Sequence, residues 1–383
     1  MLFFTDMRHI IKTMVYLAFP FYKLKAIFKK DIAQANINSI LIYRFDFIGD
    51  MVLTSLFLEN LRQAYPKAKI SLVAGPWSKQ IIEDNPNIDE LIIFTNPYFN
   101  RRKKTPFKNT LNFIKEIRKR KFDLVIAFRG ELGTILFQYL TKGKYKVGYD
   151  YQGYGKLLDK KIKDQPKLKD QITHEVDRTL NILRLLNKPI SKDSKLFMPT
   201  NLEASQKAFE FYNKYYDKKD LIIGIHPGGD WLYKCWFPKR FAKVADELIE
   251  KHKAKIILFT PPTERWLAEK VQFYMKGKAK IVDDLNLKEF SAFVKRCNLF
   301  IGNDTGTTHL ASVFTPTISL LGPGYYERCK LFPQNSITIR NKVACAPCDQ
   351  GTSHQRCVKH FPYCMAAISV REVLNAAELL LKC

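Results

Sequence analysis

The chain has 383 residues, of which 46% are hydrophobic and 26% charged, the composition of an ordinary globular protein rather than a disordered one. At ~100–200 residues per domain, that length predicts two domains, each able to bury a core. The 63 Lys and Arg against 37 Asp and Glu leave a net charge of +26, which favours an anionic partner: a phosphorylated substrate, an acidic membrane surface or nucleic acid.

Residues 1–38 form a basic amphipathic N-terminal segment. Its core, "HIIKTMVYLAFPFYKLKAIFKK", mixes Ile10, Ile11, Val15, Leu17, Phe19 and Phe28 with Lys12, Lys23, Lys25, Lys29 and Lys30, a pattern suited to an anionic membrane interface. The segment falls short of the roughly 18–20 apolar residues of a spanning helix. A secretory signal fits poorly because no A-x-A-like cleavage site follows, and a helix covering a domain is the plainer alternative.

From Ser39 onward, β-branched runs alternate with amphipathic stretches, as in βαβ units. The first round predicts strands at "SILIYRF", "KISLVAG", "DELIIF" and "DLVIAF". Helices are expected after Asp50 ("MVLTSLFLENLRQAY", ended by Pro66), around Asn109 to Arg120, and after Glu131. A helix near Thr173–Leu186 and the polar segment "NKPISKDSKLFMPTN" separate the halves. The second round predicts strands at "DLIIGIHPG", "AKIILFT", "AKIVDD", "LFIGND" and "PTISLLG". Its last helix opens with the capping box Ser369/Glu372 and carries Val370, Leu374, Ala377 and Leu381 at helical spacing. The expected architecture is α/β: two doubly wound, Rossmann-like domains, 39–200 and 201–383, facing a central cleft where ligands meet the carboxyl ends of the strands.

Three strand ends carry the polar residues that chemistry needs. In "RFDFIGDMVLT", Asp50 can either cap a helix or accept a proton from an acceptor hydroxyl. In "IGIHPGGDWLYKCWFPKRF", a Gly-Gly loop leads to Lys234, and Pro238 suits a first helical position. A lysine there can meet a phosphate and neutralise a departing diphosphate, or stand as a surface lysine beside an aromatic contact. In "GNDTGTTHLA", Asp304, Thr305, Thr307 and Thr308 supply capping groups and hydroxyls, Gly306 lets the backbone approach closely, and His309 falls in the first turn. Such a helix start suits phosphate; a simple N-cap with a packed histidine is the plainer reading.

These three motifs, in this order and spread over most of the chain, resemble glycosyltransferase family 9, the lipopolysaccharide heptosyltransferases. The resemblance implies a GT-B fold, ADP-heptose as donor, and inverting, metal-independent transfer of a heptose to the inner core of lipopolysaccharide. It implies Asp50 as catalytic base and Lys234 as the lysine on the donor phosphates. Asp304, Thr305 and Gly306, with Thr307 beside them, match the diphosphate-binding motif, and His309 its histidine position. His226 and Gly228 belong to the same donor side, and Glu264 falls where relatives hold the nucleotide ribose, although "TPPTER" is a weaker match. The sequence departs from the commonest members in its long basic leader and in Asp230 and Trp231 before Lys234.

An anionic acceptor gives the basic excess a purpose. Arg129, at the end of "DLVIAF", and the loop Arg101, Arg102, Lys103 and Lys104 are the acceptor-site candidates, a solvated surface run being the plainer reading for the loop. Four of the eight cysteines, Cys345, Cys348, Cys357 and Cys364, fall in one short stretch. Free or redox-labile thiols are expected there, with a structural zinc as the weaker alternative; otherwise neither metal nor cofactor is expected. The expected location is the cytoplasm, at the inner face of the inner membrane. Neither G-x-G-x-x-G nor G-x-x-x-x-G-K-[ST] occurs, and "HEVDR" is not H-E-x-x-H. The rival readings are a nucleotide-sugar epimerase of GT-B fold and, from a different class, a basic nucleic-acid-binding protein, which lacks any recognisable signature.

Overall fold

The computed structural model describes residues 31–95, 107–151, 153–163, 172–229, 231–348, 357 and 359–382. The leader up to residue 30, the loop Arg101–Lys104 and Asp230 therefore lie outside the described residues. Among the described residues no helix is long and apolar enough to cross a membrane.

Two six-stranded parallel sheets organise the chain. The first contains β1 (Ser39–Arg44), β2 (Lys69–Ala74), β3 (Glu90–Ile93), β4 (Leu124–Ala127), β5 (Tyr145–Asp150) and β6 (Lys160–Lys163), in the order β3-β2-β1-β4-β5-β6. The second contains β7 (Ile222–His226), β8 (Lys255–Phe259), β9 (Ala279–Val282), β10 (Leu299–Asn303), β11 (Thr317–Leu320) and β12 (Ser336–Ile339), in the order β12-β11-β10-β7-β8-β9. Both windings reverse between their first and fourth strands, the point where an open parallel sheet leaves a crevice beyond its strand ends. The expected pair of doubly wound domains is present.

Among the described residues the α-helices of six or more residues are α1 (Ile48–Ala64), α2 (Phe107–Lys119), α3 (Leu132–Leu140), α4 (Glu175–Leu185), α5 (Leu202–Tyr215), α6 (Pro238–His252), α7 (Arg265–Tyr274), α8 (Leu287–Val294), α9 (Gly306–Ala311) and α10 (Val370–Leu381). Pro238 occupies the first turn of α6, and the Ser369/Glu372 capping box opens α10. One boundary differs from expectation with consequence: α1 begins at Ile48, so Asp50 lies inside its first turn rather than ahead of it. Strands β5, β6 and β12 and helices α5, α7 and α8 were not anticipated.

The outer faces of the two sheets have separate cores, built on Leu41, Tyr43, Val73 and Val125 in one and on Ile223, Ile225, Leu258 and Ile301 in the other. The inner faces share a single apolar cluster. Ile40, Ile42, Leu72 and Ile126 from the first sheet join Ile257, Phe259 and Phe300 from the second through Val52 and Leu56 of α1, Leu310 and Ala311 of α9, and Phe290 and Phe293 of α8. A polar bolt supplements it: His174 caps α4 by accepting from Val176 N through Nδ1 at 3.2 Å. Its Nε2 donates to the Lys330 carbonyl of the second domain at 2.8 Å, which fixes the neutral tautomer.

Candidate active site

The crevices of the two sheets meet. Helix α1 starts where β1 ends and α9 starts where β10 ends, and these two starts abut. A Cβ on Gly306 would stand 2.7 Å from Ile48 Cβ and 3.0 Å from Gly49 N, and one on Gly49 would stand 3.3 Å from His309 Cδ2. At Gly306 only glycine permits that approach without a shift of its neighbours, because 2.7 Å lies inside normal contact for a side chain.

On the first-domain side, Asp50 is the third residue of α1, its side chain 35% exposed. Its Oδ2 accepts from Phe47 N at 3.4 Å, so the carboxylate closes the helix start, the first of the two roles open in the sequence. Beneath it lies a web of buried charge. Arg44 Nη1 pairs with Asp46 Oδ2 at 3.0 Å, and Arg44 Nη2 pairs with Glu175 Oε1 at 2.9 Å and lies 3.8 Å from Asp50 Oδ1. Arg129 Nη1 donates to the other oxygen of Asp46 at 2.7 Å, and its Nη2 to Glu131 at 2.6 Å. Arg178 pairs with Glu175 at 3.2 Å. Burial would raise the Asp46 carboxyl, but Arg44 and Arg129 outweigh it and hold it below the ordinary range. Asp50 goes the other way: desolvation and the neighbouring Asp46 charge push it up to about 6, against the pull of Arg44.

On the second-domain side, Thr305 caps α9, accepting from Thr308 N at 3.3 Å, and its hydroxyl lies 2.9 Å from that of Thr307. His309 Nε2 stands 3.3 Å from Asp304 Oδ1. Burial would raise Asp304, yet the His309 hydrogen bond and the Lys234 ammonium lower it. Lys234 ends a single 3-10 turn, Leu232–Lys234, between β7 and α6. Glu264 Oε2 accepts from Gly229 N at 3.1 Å and would be only 1.9 Å from a Cβ on Gly228, so the glutamate lies flat against the glycine loop. His226 Nδ1 donates to the Phe259 carbonyl at 2.9 Å, which leaves Nε2 as the acceptor of that ring.

Cys329 ties the two sides together electrostatically. Burial pushes its thiol up, the carboxylates of Asp304 and Asp50 add to the rise, and Lys234 opposes it. Asp50, Lys234 and Asp304, from both sides, therefore all act on this one thiol. Arg129 reaches the same crevice through Asp46, with 39% of its side chain exposed. Arg101, Arg102 and Lys103 lie outside the described residues. Cys345, Cys357 and Cys364 carry free thiols, and among the described residues no group of three or more His, Cys, Asp and Glu side chains is gathered to hold a metal ion.

Sequence reasoning missed Arg44, Asp46, Glu175 and Arg178. The signal was there: two opposite charges one residue apart at the end of an otherwise apolar strand, and "HEVDR", weighed only as a metal motif. Asn303, inside the quoted "GNDTGTTHLA", was also passed over.

Comparison with known proteins identifies the family and the fold. The family model for glycosyltransferase family 9 (heptosyltransferase) matches residues 110–359. Lipopolysaccharide heptosyltransferase 3 of Escherichia coli is 28% identical over 284 residues, covering 72% of this chain and 79% of that protein. Lipooligosaccharide heptosyltransferase 2 of Campylobacter jejuni is 26% identical over 333 residues, covering 84% and 94%. Among solved structures, a family 9 glycosyl transferase from Veillonella parvula superposes with a TM-score of 0.77 at 26% identity, over 91% of this chain and 98% of that one. E. coli ADP-heptose lps heptosyltransferase II does so with a TM-score of 0.68 at 17% identity, over 90% and 98%. The fold is GT-B.

Proposed function

The chain belongs to glycosyltransferase family 9, and from that membership we propose that it transfers a heptose from ADP-heptose to the inner core of lipopolysaccharide, with inversion and without a metal. The observation that carries the reading is the meeting of two strand-end crevices, one offering a carboxylate and the other an ammonium beside hydroxyl-rich backbone. In this reading Asp50 takes the proton of the acceptor hydroxyl as its oxygen attacks the anomeric carbon from the face opposite the diphosphate. The bond to the leaving diphosphate breaks, and the configuration inverts. Lys234 and the hydroxyls of Thr305 and Thr307 receive the charge that develops on ADP, the work a metal would otherwise do. His309 holds Asp304, while His226, Gly228 and Glu264 form the nucleoside side of the site, the free oxygen of Glu264 facing the ribose.

Arg129 would receive an anionic acceptor, together with Arg101, Arg102 and Lys103. The basic leader would hold the enzyme at the cytoplasmic face of the inner membrane, close to a lipid-linked acceptor.

A panel of nucleotide sugars tested by thermal shift should single out ADP-heptose, since a bound donor raises the melting temperature by mass action. Lys234→Ala should depress kcat as well as donor affinity, and the wild type should keep its rate in the presence of a chelator. Loss of affinity at unchanged kcat contradicts the leaving-group role.

A further inference from the structure

A single buried side chain closes both ends of the loop that carries Lys234. The ladder between β10 and β7 ends where Gly302 faces His226. The next residue, Pro227, has no N–H with which to continue it. Asn303 takes over from the ladder. Its Nδ2 donates to the carbonyls of Pro227 and Gly228, each at 2.9 Å, and its Oδ1 accepts from Trp236 N at 2.8 Å. Pro227 and Gly228 are where the loop leaves the strand, and Trp236 is where it returns, two residues before α6.

Both the staple and its anchor are shut away from water. Asn303 and Trp236 each have 0% exposure, and Trp236 Nε1 donates to the Ile368 carbonyl at 3.1 Å. All three hydrogen-bonding positions used on the Asn303 amide are therefore free of competition from solvent, where bonds are hardest to replace. The main chain of Asn303 is tied as well: its carbonyl accepts from Thr308 Oγ1 at 2.6 Å, and the following residue is Asp304. One residue thus joins the lysine loop to the start of α9.

We infer that Asn303 is a positioning residue for donor binding: by stapling both ends of the 227–236 loop to the start of α9, it sets where the Lys234 ammonium meets the donor diphosphate. The inference rests on the donor site proposed above. Aspartate is a near-isosteric replacement that turns the double donor into an oxygen facing two carbonyl oxygens. Serine shortens the staple and removes the bond to Trp236 N.

Calorimetric titration of ADP into the full chain tests this with N303D, N303S, K234A and the N303S/K234A double variant. Should N303D prove too unstable to purify, N303S carries the test. N303S is expected to weaken ADP binding about tenfold in the wild-type background, and clearly less when Lys234 is already absent. An ADP affinity unchanged in folded N303S, or an equal loss with and without Lys234, overturns the inference while leaving the donor site intact. Wild-type protein without ADP affinity, or K234A with undiminished affinity, brings down the donor-site reading and this inference with it.

Discussion

Asp50 sits among charges that pull its proton in opposite directions, and the balance decides the pH range in which it can act as a base. With its carboxyl pushed up to about 6 in the free enzyme, kcat/KM should fall on the acid side near pH 6 rather than near pH 4. Asp46→Asn removes the repelling neighbour and releases Arg44 and Arg129 from their shared partner. Both changes favour the ionised form of Asp50, so the acid limb of the pH profile should move to lower pH. Asp50→Asn should cost about 10²- to 10⁴-fold in kcat and still fold. Its stability should also change in a defined direction. A carboxyl whose folded-state pKa lies above its unfolded value of ~3.9 is ionised at the expense of the fold, as pH rises from there through about 6. Asp50→Asn should therefore raise the melting temperature at pH 8 and leave it unchanged at pH 4. An acid limb that stays in place in Asp46→Asn would remove Asp46 from this account.

The starts of α1 and α9 meet backbone to backbone, and that contact depends on Gly306. A methyl group there has no flexible neighbour to displace: it meets the Cβ of a branched side chain and a main-chain nitrogen. Gly306→Ala should therefore destabilise by about 1–3 kcal/mol and depress kcat in the same step, read as a lower melting temperature and a slower initial rate; an unaltered rate would mean that the two crevices need not touch. Elements of this kind were legible because their signals are local. Gly, Asp and Thr clusters after a β-branched run mark a strand handing over to a helix, and every strand beside the two reversals was readable. The elements that escaped are of another sort. Strand β5 carries Lys146 and Asp150 in its span, yet both are buried, Lys146 Nζ donating to the Gly143 carbonyl at 3.0 Å and Asp150 accepting from Lys161 at 3.1 Å. Strands β6 and β12 are four-residue edges whose pairing is set by the neighbouring strand rather than by their own pattern. The early start of α1 was hidden because Phe47 and Ile48 read as a continuation of the strand. The charge web around Asp50 escaped for a similar reason: its members come from the ends of β1 and β4 and from α4, the bonded pair Arg44 and Glu175 being 131 positions apart, and no window of sequence brings them together.

Taken entire, the chain is a cation with +26 net charge, and its proposed acceptor is an anionic lipid. Flotation with vesicles containing anionic phospholipid should carry the full chain upward at low salt and progressively less as salt screens the charge. A chain lacking residues 1–38 should lose most of that binding; equal flotation of both would assign recruitment to the folded domains. Those domains are joined by more than a linker. Their inner sheet faces feed one apolar cluster through α1, α8 and α9, so each half finishes the interior of the other. The two halves of this chain therefore cannot be treated as interchangeable cassettes: a hybrid that joins one of them to the opposite half of a relative inherits a mismatched seam, and must have both banks of that seam recut before it can inherit a new specificity.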